Sequence, residues 1–306
     1  MSASFPLFQP TAPFDYACLI QELNALTERY PFAALLYLGE SILSRPIPYI
    51  KIGSGKRSVL YVGAHHGMEW ITSALLTRFL WETCRAVDKK GRVCGLYPVD
   101  LCETHTLYVL PMLNPDGVDY QIHGIASDNP LCERLVEMNG GSLDFSRWQA
   151  NARGVDLNHN YDAGFLEYKT LEKQTGIEGG APTRYSGEAP ESEPESAALA
   201  TFIRFHKELC GVLTLHTQGE EIYCGGSLTG RSQISARRLS ELTGYRLCYA
   251  EGLAAYGGLS DWCVQKENLP AFTLECGKGE NPLPLSQFSS IYLRLCRALF
   301  EFPRIL

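Results

Sequence analysis

The stretch from Ser58 to Leu80 constrains the fold more than any other part of the chain. It begins with an apolar, β-branched run from Ser58 to Val62, which predicts a buried strand that ends at Gly63. From Trp70 onward, apolar residues recur with the spacing of a helix. A strand, a short polar turn and a helix in this order are typical of α/β domains, in which ligands bind at the carboxyl ends of strands.

Two potential metal ligands, His66 and Glu69, lie in this turn. Imidazole nitrogen and carboxylate oxygen are ordinary zinc ligands, and a catalytic zinc usually has three protein ligands and a water. The neighbouring His65 could compete with His66 for the metal. Because such a pair also occurs in ordinary solvated turns, a metal site requires a third ligand from elsewhere in the chain.

His216 is the candidate third ligand, because it directly follows the apolar run from Gly211 to Leu215. That run predicts another buried strand, whose carboxyl end would lie at the same edge of the sheet as the turn. Glu275 ends a further apolar run that begins at Ala271. A carboxylate in that position could act as a general base, although a glutamate at a strand end is more often simply solvated.

Six short motifs follow one another along the chain: GAHHGMEW at 63–70, NPDG at 114–117, GVDLNHNY at 154–161, SEPE at 192–195, LTLHTQGEEIY at 213–223 and FTLEC at 272–276. In this order they resemble the motifs of the zinc carboxypeptidase family, the funnelin-type metallopeptidases, and especially its bacterial branch of γ-D-glutamyl-diaminopimelate peptidases. The resemblance extends from about Ile47 to Gly279. It implies that His66, Glu69 and His216 hold one zinc ion per chain and that Glu275 is the catalytic base.

One position of the GVDLNHNY motif departs from the family pattern. Zinc carboxypeptidases bind the terminal carboxylate of the substrate with an arginine directly after the second polar residue of this motif, whereas this chain has His159 after Asn158. Imidazole lacks the bidentate fork and the permanent charge of a guanidinium. A second family arginine is replaced by Met68. The position of the family's oxyanion arginine falls near 148–150, where this chain has Trp, Gln and Ala. We therefore expect weak binding of an ordinary C-terminal carboxylate.

Other residues are expected to contact the substrate instead. Arg153, rather than Arg147 or Arg184, is the arginine that we expect to bind a substrate carboxylate or the oxyanion. The position of the family's mobile tyrosine falls at Leu253, and we expect Tyr256, rather than Tyr249, to take its place. By resemblance, Ser260 lines the specificity pocket, where a small residue leaves room for a long polar side chain. The predicted substrate-binding residues are Arg153, Asn158, His159, Tyr256 and Ser260.

The resemblance and its departures favour hydrolysis of the γ-D-glutamyl bond to diaminopimelate in murein peptides, with a small peptide as the substrate. A metallocarboxypeptidase that acts on ordinary C-terminal residues and a zinc-dependent amidase or deacylase of acylated amino acids are the alternatives. A zinc-binding protein without activity is a further possibility, which the presence of Glu275 disfavours. A serine hydrolase is disfavoured because the chain has no GxSxG elbow. The oligomeric state is not predicted.

Composition excludes several other classes of protein. The chain of 306 residues is 45% hydrophobic and 20% charged, and its net charge of -7 without a basic cluster argues against a nucleic-acid partner. No apolar run reaches the roughly 18 residues of a membrane span. The first basic residue is Arg29, so no export signal is predicted. The 11 cysteines include no CxxC pair and favour a reducing compartment, so we expect a cytoplasmic protein.

Predicted strands and helices alternate along most of the chain. This pattern favours a single α/β/α layered domain with a mixed, mostly parallel twisted sheet and helices on both faces. Residues 1–45 are expected to form an N-terminal helix and lead-in strands of the same domain, and 46–306 the zinc peptidase catalytic domain. Two segments of poor periodicity, 120–160 and 168–194, are predicted to be long irregular connections.

Overall fold

The computed structural model describes residues 7–225 and 230–306. The strands are β1 (Ala34–Glu40), β2 (Pro46–Ile52), β3 (Arg57–Val62), β4 (His105–Leu110), β5 (Leu209–His216), β6 (Glu221–Cys224), β7 (Arg246–Cys248) and β8 (Ala271–Glu275). The helices are α1 (Tyr16–Arg29), α2 (Ile71–Lys89), α3 (Pro98–Thr104), α4 (Pro115–His123), α5 (Cys132–Met138), α6 (Phe165–Gln174), α7 (Pro194–Phe205), α8 (Gly230–Thr243), α9 (Leu259–Glu267) and α10 (Phe288–Glu301).

The strands form one 8-stranded sheet in the order β1-β2-β4-β3-β5-β8-β6-β7. Its centre, β4-β3-β5-β8, is parallel, whereas β2 and β6 pair with this centre in the antiparallel direction. Parallel strands end at the same edge of a sheet, and here His216 and Glu275 are direct partners at the ends of β5 and β8. The predicted mixed, mostly parallel sheet is confirmed.

The side chains of β3 pack alternately into two separate cores. Val59 and Tyr61 pack with residues of α1, α2, α8 and α10 on one face of the sheet. Leu60 and Val62 pack with residues of α7 and α9 on the other face. A strand that is covered on both faces is apolar along nearly its whole length, so the continuous apolar run that begins at Ser58 correctly predicted β3. The sheet therefore lies between two layers of helices, as the sequence predicts.

Two helices lie where irregular connections were predicted. α5 interrupts the segment 120–160, and α6 occupies part of 168–194, so the prediction was wrong at these places. α5 has only 7 residues and α6 only 10, and such short helices carry little periodic signal. In the described ranges, no helix is both long enough and apolar enough to cross a bilayer.

The segments between these helices are held by buried side-chain amides. Asn114 begins α4, and its Oδ1 accepts a hydrogen bond from the backbone N–H of Gly117 at 2.9 Å. Its Nδ2 donates to the carbonyl oxygens of His65 at 3.0 Å and Ala150 at 3.1 Å. Because Asn114 is fully buried, these bonds join the turn after β3 to the irregular segment before Gly154 without competition from water.

Asn160 has the same role for the segment that leads into α7. Its Nδ2 donates to the carbonyl oxygens of Ser186 at 2.7 Å and Ala189 at 3.1 Å. Its Oδ1 accepts from the Ser196 hydroxyl at 2.5 Å. Buried backbone groups in irregular segments need partners of this kind, since no sheet or helix satisfies them.

Replacing Asn114 with alanine should destabilise the fold strongly. The substitution leaves a buried N–H and two buried carbonyl groups unpaired, which should cost about 2–4 kcal/mol in the free energy of unfolding. Asn139→Ala is the matched control, because Asn139 also donates to two carbonyl groups but does so in an exposed turn. Urea titration followed by circular dichroism measures both changes. Equal losses of stability in the two variants would contradict the structural role of Asn114.

Candidate active site

Four polar side chains meet where the central parallel strands end. His66 and Glu69 lie in the turn after β3, His216 is the last residue of β5, and Glu275 is the last residue of β8. β3 pairs with β5, and β5 pairs with β8, so the three strand ends are adjacent. The fold thus brings together groups that are far apart in the sequence, at the edge where α/β sheets bind ligands.

Three potential ligand atoms lie close to one another at this edge. Nδ1 of His66 is 2.9 Å from Oε1 of Glu69, and Nδ1 of His216 is 3.0 Å from Oε2 of Glu69. The two Nδ1 atoms are 3.3 Å apart. All three residues are buried. Within the described part of the chain, no other group of three or more His, Cys, Asp or Glu side chains is arranged to hold a metal ion.

The arrangement fits a tetrahedral zinc ion. With zinc–ligand bonds of about 2.0–2.1 Å, ligand atoms at tetrahedral positions lie roughly 3.3 Å apart. Oε2 of Glu69 makes no hydrogen bond despite its closeness to His216, as expected for an oxygen whose lone pair is directed at a third atom. Two imidazoles and one carboxylate leave a fourth position for water or substrate, which is the composition of a catalytic zinc site.

Asp156 orients His66 from the other side of its ring. Nε2 of His66 lies 3.1 Å from Oδ1 of Asp156, and this bond leaves Nδ1 of His66 facing Glu69. Asp156 also accepts from the side chain of Gln149 and the backbone N–H of Arg184. Burial alone would raise the pKa of Asp156, but His66 and these hydrogen bonds lower it, so the carboxylate stays ionised. A carboxylate behind a metal-binding imidazole raises the basicity of the ligand.

The sequence alone does not single out Asp156, because an aspartate in an irregular segment is more often a turn former. It also misses Asn281, which donates to the carbonyl oxygen of Thr217 at 2.7 Å and approaches Oε1 of Glu69 at 3.5 Å. The sequence did contain a signal for Asp156, because the family pattern also has an aspartate at this place in the GVDLNHNY motif.

The environments of Glu69 and Glu275 shift their pKa values in opposite directions. Burial would raise the pKa of Glu69, but the neighbouring His66 and His216 lower it to about 2. Burial, together with the charge on Glu69, raises the pKa of Glu275 well above that of an ordinary glutamate. Two nearby carboxyl groups with separated pKa values are suited to different roles, one as a permanent anion and the other as a proton acceptor and donor.

His65 does not join the three ligand atoms. Its Nε2 lies 3.3 Å from the hydroxyl of Tyr161, and its ring stacks on His216 with the centroids 5.1 Å apart. Burial lowers the pKa of His65 well below the usual value, so the imidazole is neutral. The structure therefore places His66, not His65, beside Glu69 and His216.

A cleft of about 550 Å³ opens beside His66 and Glu275. Three of the predicted substrate-binding residues, Asn158, His159 and Ser260, line it. Oδ1 of Asn158 accepts from the first backbone N–H of α9, and the Ser260 hydroxyl lies 2.7 Å from that of Thr273. These polar groups form part of a wall that a polar substrate can contact.

His159 cannot reproduce the arginine that the family has at this position. Its Nδ1 donates to the carbonyl oxygen of Tyr256 at 2.8 Å, and its ring stacks on Tyr168 with the centroids 4.2 Å apart. Burial lowers the pKa of His159, so its ring is uncharged near neutral pH. The position therefore offers no permanent positive charge to a substrate carboxylate.

The structure does not bring Arg153 or the side chain of Tyr256 to the cleft. The guanidinium of Arg153 pairs with Glu193 at 3.0 Å and lines a separate cavity of about 220 Å³. The ring of Tyr256 packs beside Gly164, and only its carbonyl oxygen reaches a residue of the cleft wall, His159. The geometry does not support these two substrate-binding assignments, which stay predictions, because sequence spacing does not show where a loop side chain points.

Arg147, and not Arg153, lines the cleft. Among the described residues that line the cleft, it is the one Lys or Arg. Its guanidinium donates to the carbonyl oxygen of Asn281 at 2.9 Å and pairs with Glu280 at 3.1 Å. Both contacts lie at the rim of the cleft, so part of the guanidinium remains accessible there.

The sheet and the His-Glu-His site define a mononuclear zinc hydrolase of the α/β class. Residues 19–296 match the zinc carboxypeptidase family. The chain belongs to this family and is a zinc metallopeptidase.

Comparisons with individual proteins agree with this assignment. The chain is 36% identical over 281 residues to gamma-D-glutamyl-L-diamino acid endopeptidase 1 of Lysinibacillus sphaericus. The alignment covers 91% of this chain and 69% of that protein. The fold of this chain is similar to that of thrombin-activatable fibrinolysis inhibitor, with a TM-score of 0.71, 20% identity and coverage of 95% of this chain and 73% of that one. The fold is also similar to that of the murein-tripeptide amidase MpaA of Escherichia coli O157, with a TM-score of 0.53 and 21% identity. This alignment covers 87% of this chain and 91% of that one.

Replacing His66 should remove zinc, whereas the same replacement of His65 should not. His66→Gln removes one of three ligands and should lower zinc affinity by at least about 100-fold. His65→Gln is the matched control, because His65 is adjacent and equally buried but lies against Tyr161. Zinc content after dialysis against a weak chelator measures both variants. Retention of zinc by His66→Gln together with its loss by His65→Gln would reverse the assignment.

Proposed function

We propose that this enzyme hydrolyses the γ-D-glutamyl bond to diaminopimelate in murein peptides, with His66, Glu69 and His216 as zinc ligands and Glu275 as the general base. The relative from Lysinibacillus sphaericus is named for cleavage of a γ-D-glutamyl bond to a diamino acid. The charge pattern of the cleft carries the proposal for this chain.

The cleft offers both signs of charge to a substrate. Its lining includes the carboxyl groups of Asp261, Glu275 and Glu280, and the guanidinium of Arg147. With Glu275 assigned to proton transfer, Asp261 and the ion pair of Glu280 with Arg147 are the charged groups of the cleft that a substrate ammonium and carboxylate can contact. Diaminopimelate carries an ammonium and a carboxylate at the far end of its side chain, so it matches both signs.

Cleavage of ordinary C-terminal residues is less well supported. That activity requires a strong anchor for the terminal carboxylate close to the scissile bond, and a guanidinium is suited to this because it binds a carboxylate through two parallel hydrogen bonds. In this chain the corresponding residue is His159, whose Nδ1 proton is already donated to Tyr256.

The residues around the zinc site divide the work of peptide hydrolysis. Zinc, when bound, polarises the scissile carbonyl group and acidifies the attacking water. Glu275, which lines the cleft beside His66, accepts the proton of that water and returns it to the departing amine. Asp156 keeps the ring of His66 in one orientation and so preserves the ligand geometry through the reaction.

A reducing compartment is the proposed cellular location, and the cytoplasm is the simplest choice. All 11 cysteines are free thiols, and several of them, including Cys84 and Cys263, are fully buried. Buried free thiols such as these behave as small hydrophobic side chains.

Glu275→Gln should abolish most hydrolysis and leave zinc bound. The amide has nearly the same size but cannot accept a proton, so kcat should fall by roughly 10²–10⁴-fold. Glu221→Gln is the matched control, because Glu221 pairs with Glu275 across the sheet but its carboxylate is bonded to Arg246 and Tyr223. Zinc content and initial rates should be measured together. Turnover close to wild type in Glu275→Gln would remove Glu275 from the role of base.

The substrate proposal is tested directly with two peptides. The zinc-loaded enzyme should release diaminopimelate from L-Ala-γ-D-Glu-diaminopimelate, and its rate on an acylated dipeptide of ordinary residues should be at least about 100-fold lower, a difference of roughly 2.8 kcal/mol. Mass spectrometry of the products measures both reactions. Cleavage of only the acylated dipeptide would overturn the proposal in favour of an ordinary carboxypeptidase.

Arg147→Ala should weaken binding of the diaminopimelate peptide. Loss of a charge-assisted contact at a partly exposed position should raise KM by about 10-fold and change kcat little. Arg153→Ala is the matched control, because Arg153 pairs with Glu193 outside the cleft. Full kinetic profiles of both variants are required. An effect of Arg153→Ala that exceeds that of Arg147→Ala would restore Arg153 as the substrate-binding arginine.

A further inference from the structure

Two cysteines that the catalytic site does not use are in direct contact. Sγ of Cys94 lies 2.8 Å from Sγ of Cys296, although the two residues are 202 positions apart in the sequence. Cys94 is exposed, and Cys296 is buried. Another thiol, that of Cys210, donates instead to the carbonyl oxygen of Ser58.

A tight turn presents Cys94 to solvent. Val93 and Leu96 are joined by a pair of backbone hydrogen bonds of 2.9 Å, which close a two-residue turn. Cys94 has φ 50° and Gly95 has φ 81° in this turn. Turns of this kind favour Asn, Asp or Gly at the first position, so a cysteine there is unusual. The turn holds the sulfur of Cys94 against Cys296 of α10.

Cys296 supplies the second thiol from the interior. It lies on α10 and is 4% exposed. Its sulfur is 3.8 Å from Oε2 of Glu82, which also accepts a hydrogen bond of 3.0 Å from the hydroxyl of Tyr292. A buried thiol in contact with an exposed one is the arrangement of a resolving cysteine behind a reactive cysteine.

A groove of about 460 Å³ leads to Cys94. Its charged lining residues are Arg85, Lys89 and Arg92, together with the single carboxylate of Glu82. The described lining of the groove therefore carries an excess of positive charge, which attracts anionic molecules.

We propose that Cys94 and Cys296 are a modification site that a small anionic peptide disulfide of the glutathione class oxidises to an intramolecular disulfide. The thiolate of Cys94 attacks one sulfur of the small disulfide, forms a mixed disulfide and releases the first small thiolate, which takes up a proton. The thiol of Cys296 loses its proton to water and attacks the sulfur of Cys94, and the second small thiolate leaves. Two protein thiols are oxidised, and one small disulfide is reduced to two thiols.

The order of these steps follows from the two environments. The contact with the Cys296 thiol lowers the pKa of Cys94, which is also accessible from the groove. The same contact and burial raise the pKa of Cys296, which keeps its proton until the mixed disulfide is adjacent. Cys94 is thus the attacking residue.

The pair is remote from the zinc site. α2 begins two residues after Glu69, and Cys296 contacts Glu82, which lies 11 residues further along this helix, a length of roughly 17 Å. Oxidation should therefore stabilise the fold and leave the kinetic constants unchanged, which keeps this inference separate from the proposed activity. A cross-link between residues so distant in the sequence should raise Tm by on the order of 5–10 °C.

The test uses the full chain and oxidised glutathione. The wild-type protein, incubated with oxidised glutathione and then alkylated, should lose two reactive thiols, and tandem mass spectrometry of a non-reducing digest should show Cys94 joined to Cys296. Reduction with dithiothreitol should restore both thiols and reverse the rise in Tm.

Three variants separate the roles of the two cysteines. Cys94→Ser should show neither the cross-link nor the rise in Tm, and Cys296→Ser should stop at a glutathione adduct on Cys94. Cys132→Ser, which alters a half-buried thiol elsewhere, should behave as the wild type. Two free thiols at these positions after oxidation, a cross-link between other cysteines, or a lasting adduct on Cys94 in the wild type would overturn the proposal.

Discussion

The parallel direction of β3, β5 and β8 is the constraint on which the zinc site depends. Each strand contributes a polar residue just beyond or at its carboxyl end, and adjacent parallel strands must end at one edge. The direct pairing of His216 with Glu275 then sets the distance between the metal-binding histidine and the proposed base by backbone hydrogen bonds rather than by flexible loops. A slip of one residue in this register would turn one of the two side chains to the opposite face of the sheet.

Much of this arrangement was predictable because local signals and global packing agree. The apolar run before Gly63 is buried on both faces, so its sequence identified β3, and the strands before His216 and Glu275 were recognised for the same reason. The substrate-binding residues were harder to predict. Arg153 and Tyr256 lie in loops, where one backbone rotation separates a side chain that enters the cleft from one that turns to Glu193 or Gly164. Asp156 was missed because its role appears only once His66 is placed beside it.

Charge is distributed around the zinc site in two layers. The inner layer contains Glu69 and Asp156, both held ionised beside His66 in a buried environment. This concentration of negative charge accounts for the affinity of the edge for a cation. The outer layer, at the cleft wall, contains Asp261, Glu280 and Arg147, the charged groups that we propose for substrate binding. The side chains that can hold the metal and the charged side chains of the cleft wall are thus different, and Glu275 lines the cleft beside the inner layer.

The buried amides of Asn114 and Asn160 determine where this protein can tolerate substitutions. Loops ordinarily accept insertions and random substitutions more readily than strands do. Here the irregular segments that support the cleft are held by these buried amides. Libraries of random substitutions directed at these segments would therefore mostly yield unfolded chains. Diversity aimed at the rim around Arg147 and Glu280, whose side chains are largely exposed, would instead explore new peptide preferences while the scaffold stays intact.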